Sequence, residues 1–337
     1  MKINVAINGY GRIGRCIVRA LFESRYFFDR IKIVAINELA DLKTIFHLSK
    51  YDSTHGRFIA PIECNSDSLI INGEKILVFN ETDPQNLPWK ELGIDVVLEC
   101  TGAYSDRGTA EQHLKSGAKK LIFSQPANSD MDATIVHGIN HHTLKPEHSI
   151  ISNASCTTNC IVPILSVLDE SLGIEHGTIT TIHSAMNDQP ILDAYDSDLR
   201  KTRSAIQSII PVSTELNKGI DRVCPSLHGK FETLAIRVPT TNVSIMDLTV
   251  TVKKSTTASE VNQIIKEASQ GPLNEILGVT EEQLVSCDFV HDSRSAIVDA
   301  CQTRVSGSKL VKVLAWFDNE WGFANRMLDT TITSMNC

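Results

Sequence analysis

The chain has 337 residues, which is long for one hydrophobic core and predicts two domains. Hydrophobic residues make up 42% and charged residues 21%, a composition typical of a soluble globular protein. The formal net charge of −8 disfavours nucleic acid as the main partner, because a phosphate backbone requires a basic surface.

The nine cysteines are scattered from Cys16 to Cys337, and no two have CxxC spacing. This pattern indicates neither a disulfide framework nor a zinc site, so we expect reduced thiols, no resident metal and a cytoplasmic location. No apolar run approaches the length of a membrane span, and the first residues lack the basic and apolar regions of a leader. We therefore expect no membrane association and no leader peptide.

The N-terminal stretch predicts a dinucleotide site. A short apolar strand, Lys2–Asn8, runs into GYGRIG, and a helical pattern then leads to a second strand, Ile31–Ile36. The glycines of this turn, Gly9, Gly11 and Gly14, permit its tight geometry and the close approach of a pyrophosphate, which the helix N-terminus stabilises.

An acid follows the second strand of this unit. Glu38 stands where its carboxylate can accept hydrogen bonds from ribose hydroxyls and repel a 2′-phosphate. This favours NAD over NADP as the cofactor.

The next segments complete a doubly wound sheet of the Rossmann type. Residues 57–80 are predicted to form a strand-rich excursion with a hairpin turn at Asn72-Gly73. His141-His142 could bind a metal, but without a nearby carboxylate or cysteine a solvated loop is favoured. Further buried strands are predicted at Asp95–Cys100, Lys120–Phe123, Ala133–His137 and Ser149–Ser152.

The stretch SNASCTTNC, from Ser152 to Cys160, follows an apolar strand and precedes an amphipathic run. If Cys156 lies in the first turn of a helix, backbone N–H groups and the helix dipole favour its thiolate. Ser155 and Thr157 add hydroxyl donors on either side. The alternative is an inert buried cysteine, which is the commoner case for a lone cysteine.

After this helix the pattern becomes rich in strands, which predicts a second α+β domain with a large antiparallel or mixed sheet. A polar, irregular segment with Arg200, Lys201 and Arg203 precedes Ile209. The predicted strands and helices are Gly177–Ile182, Phe231–Val238, Val243–Val252, Thr257–Ala268 (helix), Lys309–Phe317 and Trp321–Met335 (helix).

His183 ends the first strand of this domain, and a helix followed by a returning strand can bring it to Cys156. A neighbouring imidazole would stabilise the thiolate and act as general base, whereas the alternative is a histidine that caps a strand within a core. Beside a dinucleotide domain, a Cys/His pair predicts aldehyde oxidation. The thiolate adds to the aldehyde, hydride leaves for the nicotinamide, and a thioester remains.

These motifs resemble the glyceraldehyde-3-phosphate dehydrogenase superfamily. The matching segments run in order along nearly the whole chain: NGYGRIGR, ECTG, SNASCTTNC, TTIHS, RVPTTNVS and WFDNEWGF. The resemblance implies that Cys156 is the nucleophile and His183 its base. It also implies that Arg12 and Ile13 contact the cofactor phosphates and that Asn319 orients the nicotinamide.

The same resemblance implies the domain division and the assembly. The NAD domain would comprise residues 1–155 with 319–337, and the catalytic domain residues 156–318. The expected assembly is a homotetramer, in which the segment around 184–208 lies near cofactor sites of neighbouring subunits.

Three positions depart from the phosphorylating members of this superfamily. Met186 replaces a threonine, Glu215 follows Thr214 where a glycine is usual, and the ribose acid is Glu38 and not aspartate. Lys201 stands where arginine is usual in the phosphorylating and the non-phosphorylating members alike. A carboxylate about 4–5 Å from an incoming phosphate would repel it by roughly 3–4 kcal/mol at an effective dielectric near 20. We therefore expect water to be the acyl acceptor.

The phosphate of the substrate itself needs a cation. Arg237 is the candidate for this role, and Lys201 keeps a positive charge but lacks the bidentate geometry of arginine. Ser155, Thr157 and Thr214 can donate to other substrate oxygens.

The segments INELAD, HSAMNDQ and WGFANRMLDTT resemble the bacterial members that oxidise D-erythrose 4-phosphate. The resemblance implies 4-phosphoerythronate as product and a place in pyridoxal phosphate synthesis. The nearest alternative is phosphorylating oxidation of glyceraldehyde 3-phosphate. A more distant one is a nucleotide-sensing protein that has kept the fold without the activity.

Overall fold

The computed structural model describes residues 2–337 and divides into two compact units. The first comprises the chain up to Ser155 together with Phe323–Cys337, and the second comprises Cys156–Gly322. The predicted fold class is confirmed, since one unit is a Rossmann domain and the other an α+β domain with a large mixed sheet.

The first unit alternates strands and helices, as a doubly wound fold requires. Its elements in chain order are β1 (Ile3–Asn8), α1 (Arg12–Glu23), α2 (Arg25–Phe28), β2 (Ile31–Asn37), α3 (Leu42–Lys50), β3 (Tyr51–Asp52), β4 (Gly56–Arg57), β5 (Ile62–Cys64), β6 (Ser68–Ile71), β7 (Glu74–Phe79), β8 (Val96–Glu99), α4 (Arg107–Lys115), β9 (Lys120–Phe123), β10 (Ala133–Thr134) and β11 (Ile150–Ser152).

Within residues 2–337, nine of these strands form one sheet in the order β10-β11-β9-β8-β1-β2-β7-β6-β5. The ladder is parallel from β10 to β7, and β6 and β5 extend it as antiparallel strands. The central strands are continuous apolar runs because both faces of a parallel sheet are covered. The chain reverses its direction of winding between β1 and β8. The carboxyl ends of these two strands are therefore where such folds bind ligands.

Two local predictions in this unit have different outcomes. The hairpin turn is confirmed, because Asn72 and Gly73 both have positive φ (49° and 82°) between β6 and β7. The strand predicted at Ala133–His137 is wrong beyond Thr134. Asn140 explains the early end, since its side chain accepts from Val136 N–H and donates to the carbonyl of Thr134, at 2.8 Å each. The side chain thus takes backbone groups that a longer strand would need for its ladder.

The second unit opens with a long helix and continues mainly as strands. The last helix, α8 (Trp321–Met335), carries the chain back into the first unit. The elements before it are α5 (Cys156–Leu172), β12 (Ile174–His183), β13 (Ile210–Val212), α6 (Leu216–Val223), β14 (Phe231–Arg237), β15 (Ser244–Val252), α7 (Ala258–Gln270), β16 (Leu277–Thr280), β17 (Ala296–Asp299), β18 (Arg304–Ser306) and β19 (Leu310–Phe317).

The sheet of the second unit has the order β13-β14-β12-β15-β19-β17-β16, with β18 paired to β19. It is mixed, because β12 and β14 run parallel whereas β12, β15 and β19 are antiparallel neighbours. Along β15 every second residue is buried. That period of two marks a half-buried sheet, whose covered face packs against α5.

The second unit ends at Gly322, whereas the resemblance implies an end at residue 318. Asn319 makes its side-chain hydrogen bonds within the second unit. Its amide oxygen accepts hydrogen bonds from Ser184 and Ser244, at 3.0 and 2.9 Å. These bonds tie the residues before Gly322 to the ends of β12 and β15 in the second unit.

The helices of residues 2–337 include none that combines the length and apolar character needed to cross a lipid bilayer. The same residues contain all nine cysteines, and each of them is a free thiol.

Candidate active site

The glycine turn after β1 is closely packed at Gly9 and Gly14 and open at Gly11. A Cβ on Gly9, whose φ is +87°, would lie 2.5 Å from the backbone nitrogen of Thr101, and one on Gly14 would lie 2.5 Å from the carbonyl oxygen of Gly9. A Cβ on Gly11 would meet nothing within 4 Å. Gly9 and Gly14 thus allow close packing at the β1/β8 reversal, whereas Gly11 leaves space in which a pyrophosphate can approach.

Helix α1 begins directly after this turn, and its N-cap Gly11 supplies no side-chain acceptor for the first N–H groups. Ile13 is the second helical residue, while the side chain of Arg12 is held by the carboxylate of Asp52. Arg12 therefore offers its backbone N–H to an anion at the helix start, and its guanidinium is already neutralised.

The carboxylate of Asp52 is strongly acidic. Burial would raise its pKa, but the N–H groups of His55 and Thr54 together with Arg12 lower the pKa to about 2. Asp52 is therefore ionised at neutral pH and remains the counter-ion of Arg12.

Glu38 follows β2 at the same edge of the sheet as the glycine turn. One carboxylate oxygen accepts from the N–H of Tyr10 in the turn, and the other accepts from the N–H of Leu39, both at 2.7 Å. These bonds fix the acid beside the turn, where its remaining lone pairs can accept from ribose hydroxyls.

Cys156 is the first residue of α5 and so lies in the first turn of this helix. The residue is half-buried, and so are its neighbours Ser155 and Thr157. Deeper residues of this helix, from Thr158 to Leu165, are buried and anchor it in the core. The sulfur thus lies at a helix start while the rest of the helix is fixed.

His183 ends β12, and its ring contacts the sulfur of Cys156. Its Nδ1 lies 2.8 Å from the carbonyl oxygen of Ser184, and a carbonyl can only accept, so Nδ1 carries the proton. The lone pair of Nε2 therefore faces Cys156 Sγ, at 3.7 Å. The two side chains that the sequence pairs are in contact, in the tautomer that a base requires.

Burial opposes the thiolate that the helix start favours. Burial raises the pKa of the Cys156 thiol to about 11, although the Thr157 N–H and the charge of Arg237 act in the opposite direction. Burial also lowers the pKa of His183 to about 4. The free energy of removing the thiolate from water is larger here than its stabilisation by the helix N-terminus. Burial thus favours a neutral thiol beside a neutral imidazole over the charged pair.

Asn319 lies beside the ends of β12 and β15, and its amide is oriented by two serines. Because its Oδ1 accepts from the hydroxyls of Ser184 and Ser244, its NH₂ group is directed away from them as a donor. This is the group that the resemblance assigns to the nicotinamide carboxamide.

Arg237 ends β14 and is paired in register with His183 on the neighbouring strand. Its Nη1 atom is buried without a hydrogen-bond partner and lies 3.6 Å from Oδ1 of Asp188. The other oxygen of Asp188 lies 3.3 Å from Nζ of Lys201. The two predicted cations therefore share one carboxylate.

Thr214 and Glu215 directly precede α6. The hydroxyl of Thr214 accepts from the N–H of Leu216 at 3.3 Å. Glu215 is exposed and pairs with Lys218 at 2.5 Å, which lowers its pKa. This geometry does not support the repulsion of phosphate expected from Glu215, because solvent and Lys218 compensate its charge.

No motif predicts a role for Asp188, Ser184 or Ser244, although all three lie in segments that resemble the family. Ser184 follows His183 directly, Asp188 lies in HSAMNDQ, and Ser244 closes RVPTTNVS. Nothing in the pattern marked them, because the contacts that they make join residues far apart in the chain.

A Rossmann unit with this glycine turn, and a unit carrying a thiol–imidazole pair, define an NAD-dependent oxidoreductase. Family models described as "Glyceraldehyde 3-phosphate dehydrogenase, NAD binding domain" and "Glyceraldehyde 3-phosphate dehydrogenase, C-terminal domain" match residues 3–107 and 155–319. The chain belongs to the glyceraldehyde 3-phosphate dehydrogenase family, and its cofactor is NAD.

Alkylation of Cys156 by iodoacetamide should reveal the neutral pair in the free protein. Only the thiolate reacts, so a thiol with a raised pKa should react about tenfold faster for each unit between pH 7 and 9. Peptide-resolved mass spectrometry separates Cys156 from exposed Cys64, which serves as the reference for reagent behaviour. A rate that is flat over this range would indicate a preformed thiolate–imidazolium pair.

Proposed function

We propose that the protein oxidises D-erythrose 4-phosphate to 4-phosphoerythronate with NAD and passes the acyl group to water. The observation that carries the chemistry is the lone pair of His183 Nε2 facing Cys156 Sγ, with Nδ1 committed to the Ser184 carbonyl. The choice of substrate rests on the segments that resemble the erythrose 4-phosphate enzymes. The product would enter pyridoxal phosphate synthesis.

Cys156 is the proposed nucleophile and His183 the base. As Sγ bonds to the aldehyde carbon, the thiol proton passes to Nε2, which avoids an isolated buried thiolate. The imidazole then returns that proton to solvent and takes the hydroxyl proton of the hemithioacetal as it is oxidised to a thioester. Bound NAD supplies the hydride acceptor. Water finally attacks the thioester carbonyl, the C–S bond breaks, and the sulfur recovers a proton as the acid is released.

The residues proposed to hold the pyrophosphate of NAD lie at the start of α1. The space at Gly11 and the backbone N–H groups of Arg12 and Ile13 suit its oxygens. Gly9 and Gly14 allow the turn before them to pack closely.

The remaining parts of NAD are assigned to two side chains. Glu38, fixed by the N–H of Tyr10, suits the ribose hydroxyls. The oriented NH₂ group of Asn319 suits a carboxamide oxygen. Both groups are already aligned by hydrogen bonds within their own units, so binding would need little rearrangement of either side chain.

The substrate phosphate is proposed to bind Arg237 and Lys201. Arg237 fits this role best, because its Nη1 is buried without a hydrogen-bond partner. Met186 offers no donor to a second, inorganic phosphate, which supports water as the acyl acceptor. The hydroxyls proposed to donate to the other substrate oxygens are those of Ser155, Thr157 and Thr214.

Initial rates of NADH formation test the substrate and the acyl acceptor together. With D-erythrose 4-phosphate, the rate should not require inorganic phosphate, and the product should be the free acid. The same assay with glyceraldehyde 3-phosphate provides the comparison. Strict dependence on phosphate with the three-carbon aldehyde would instead establish the phosphorylating alternative.

Replacing His183 by Asn should lower kcat by about 10²–10⁴-fold, because the thiol and the hemithioacetal would lose their base. His176→Asn is the matched control, since His176 lies on the same strand but is exposed. Its kcat should stay near that of the unmodified protein. If His183→Asn loses less than tenfold in kcat, His183 is not the base. If Cys156→Ala still turns over substrate, Cys156 is not the nucleophile.

We also propose that the protein is a homotetramer. Large apolar side chains between residues 191 and 209 are more than half exposed in the single chain, namely Ile191, Leu192, Tyr195, Leu199, Ile206 and Ile209. Their concentration in one segment favours an interface with another copy. Light scattering of the purified protein should give about four chain masses, and a monomeric mass at micromolar concentration would contradict the proposal.

A further inference from the structure

Asp188 lies between the two cations assigned to substrate phosphate. Its two oxygens are 3.6 Å from Arg237 Nη1 and 3.3 Å from Lys201 Nζ. The side chain of Arg237 is 13% exposed and that of Lys201 33% exposed, so both cations are partly removed from water, whereas the side chain of Asp188 is 46% exposed. One carboxylate thus serves as the counter-ion for two cations that would otherwise attract a free anion.

We propose that Asp188 is a specificity-determining residue, a counter-ion from the chain itself that keeps inorganic phosphate away from Arg237 and Lys201. The proposal deepens the proposed function and rests on it, because it gives a reason why water and not phosphate receives the acyl group. It also replaces Glu215 as the source of the repulsion, because Glu215 pairs with Lys218, whereas Asp188 pairs with the two cations assigned to phosphate.

The same carboxylate need not exclude the substrate. A phosphate that belongs to an aldose held by other contacts, and then bonded to Cys156, reaches the cations at a high effective concentration. The substrate phosphate can therefore compete with the carboxylate of Asp188, which the chain also holds in place, for Arg237 and Lys201. A free phosphate ion has no such advantage and must displace Asp188 from solution, against the repulsion of its negative charge.

The test is the binding of inorganic phosphate to the full chain saturated with NAD, measured by equilibrium dialysis with radiolabelled phosphate at constant ionic strength. Asp188→Asn keeps the shape of the side chain and removes its charge. We expect phosphate to bind about tenfold more tightly, because two partly exposed ion pairs no longer oppose it. Adding Arg237→Ala to this variant should abolish the gain, which locates the phosphate at this site.

Two further variants control for charge elsewhere. Asp193 belongs to the same segment and pairs with Arg203 at 3.1 Å, so Asp193→Asn tests a general effect of loosening the segment. Glu215→Gln tests the rival carboxylate. Neither should change phosphate affinity.

Unchanged affinity in Asp188→Asn would overturn the proposal, as would an equal gain in either control or a gain that survives Arg237→Ala. No aldehyde is present in this experiment. The phosphate measurement and the turnover assay can therefore fail independently of each other.

Discussion

The hydrogen bond from His183 Nδ1 to the carbonyl of Ser184 determines the chemistry available to the second unit. It assigns the ring proton to one nitrogen and aims the lone pair of the other at Cys156. Strand β12 fixes the backbone on one side, and the buried body of α5 fixes the sulfur on the other. Rotation of either side chain would lose a contact in a place that water does not easily reach.

Burial and the helix start act against each other at Cys156. The helix N-terminus and Arg237 favour the thiolate, while removal from water favours the thiol, and burial prevails. A neutral resting pair does not weaken the proposed chemistry. A neutral imidazole is already the form that accepts a proton, so charge needs to appear only when the aldehyde is present to receive the sulfur.

Carboxylates of the chain itself recur at the positions where the sequence predicts anion binding. Asp52 holds Arg12, and Asp188 lies between Arg237 and Lys201. Partly buried cations are costly without a counter-ion. A carboxylate of the chain can act as this counter-ion. The affinity for an external anion then depends on how easily that anion displaces the carboxylate.

The sequence by itself determined the two kinds of domain, the glycine turn with its acid, and which cysteine and histidine lie in contact. These features are local, because strand and helix periods, turn glycines and the order of motifs depend on neighbouring residues. The tertiary structure alone decided which charges meet. Which carboxylate meets Arg237 and Lys201, whether Arg12 is neutralised, and how deeply Cys156 is buried depend on segments brought together across the fold. Coulomb interactions and desolvation depend on distances in space, and the separation of two residues along the chain does not give those distances.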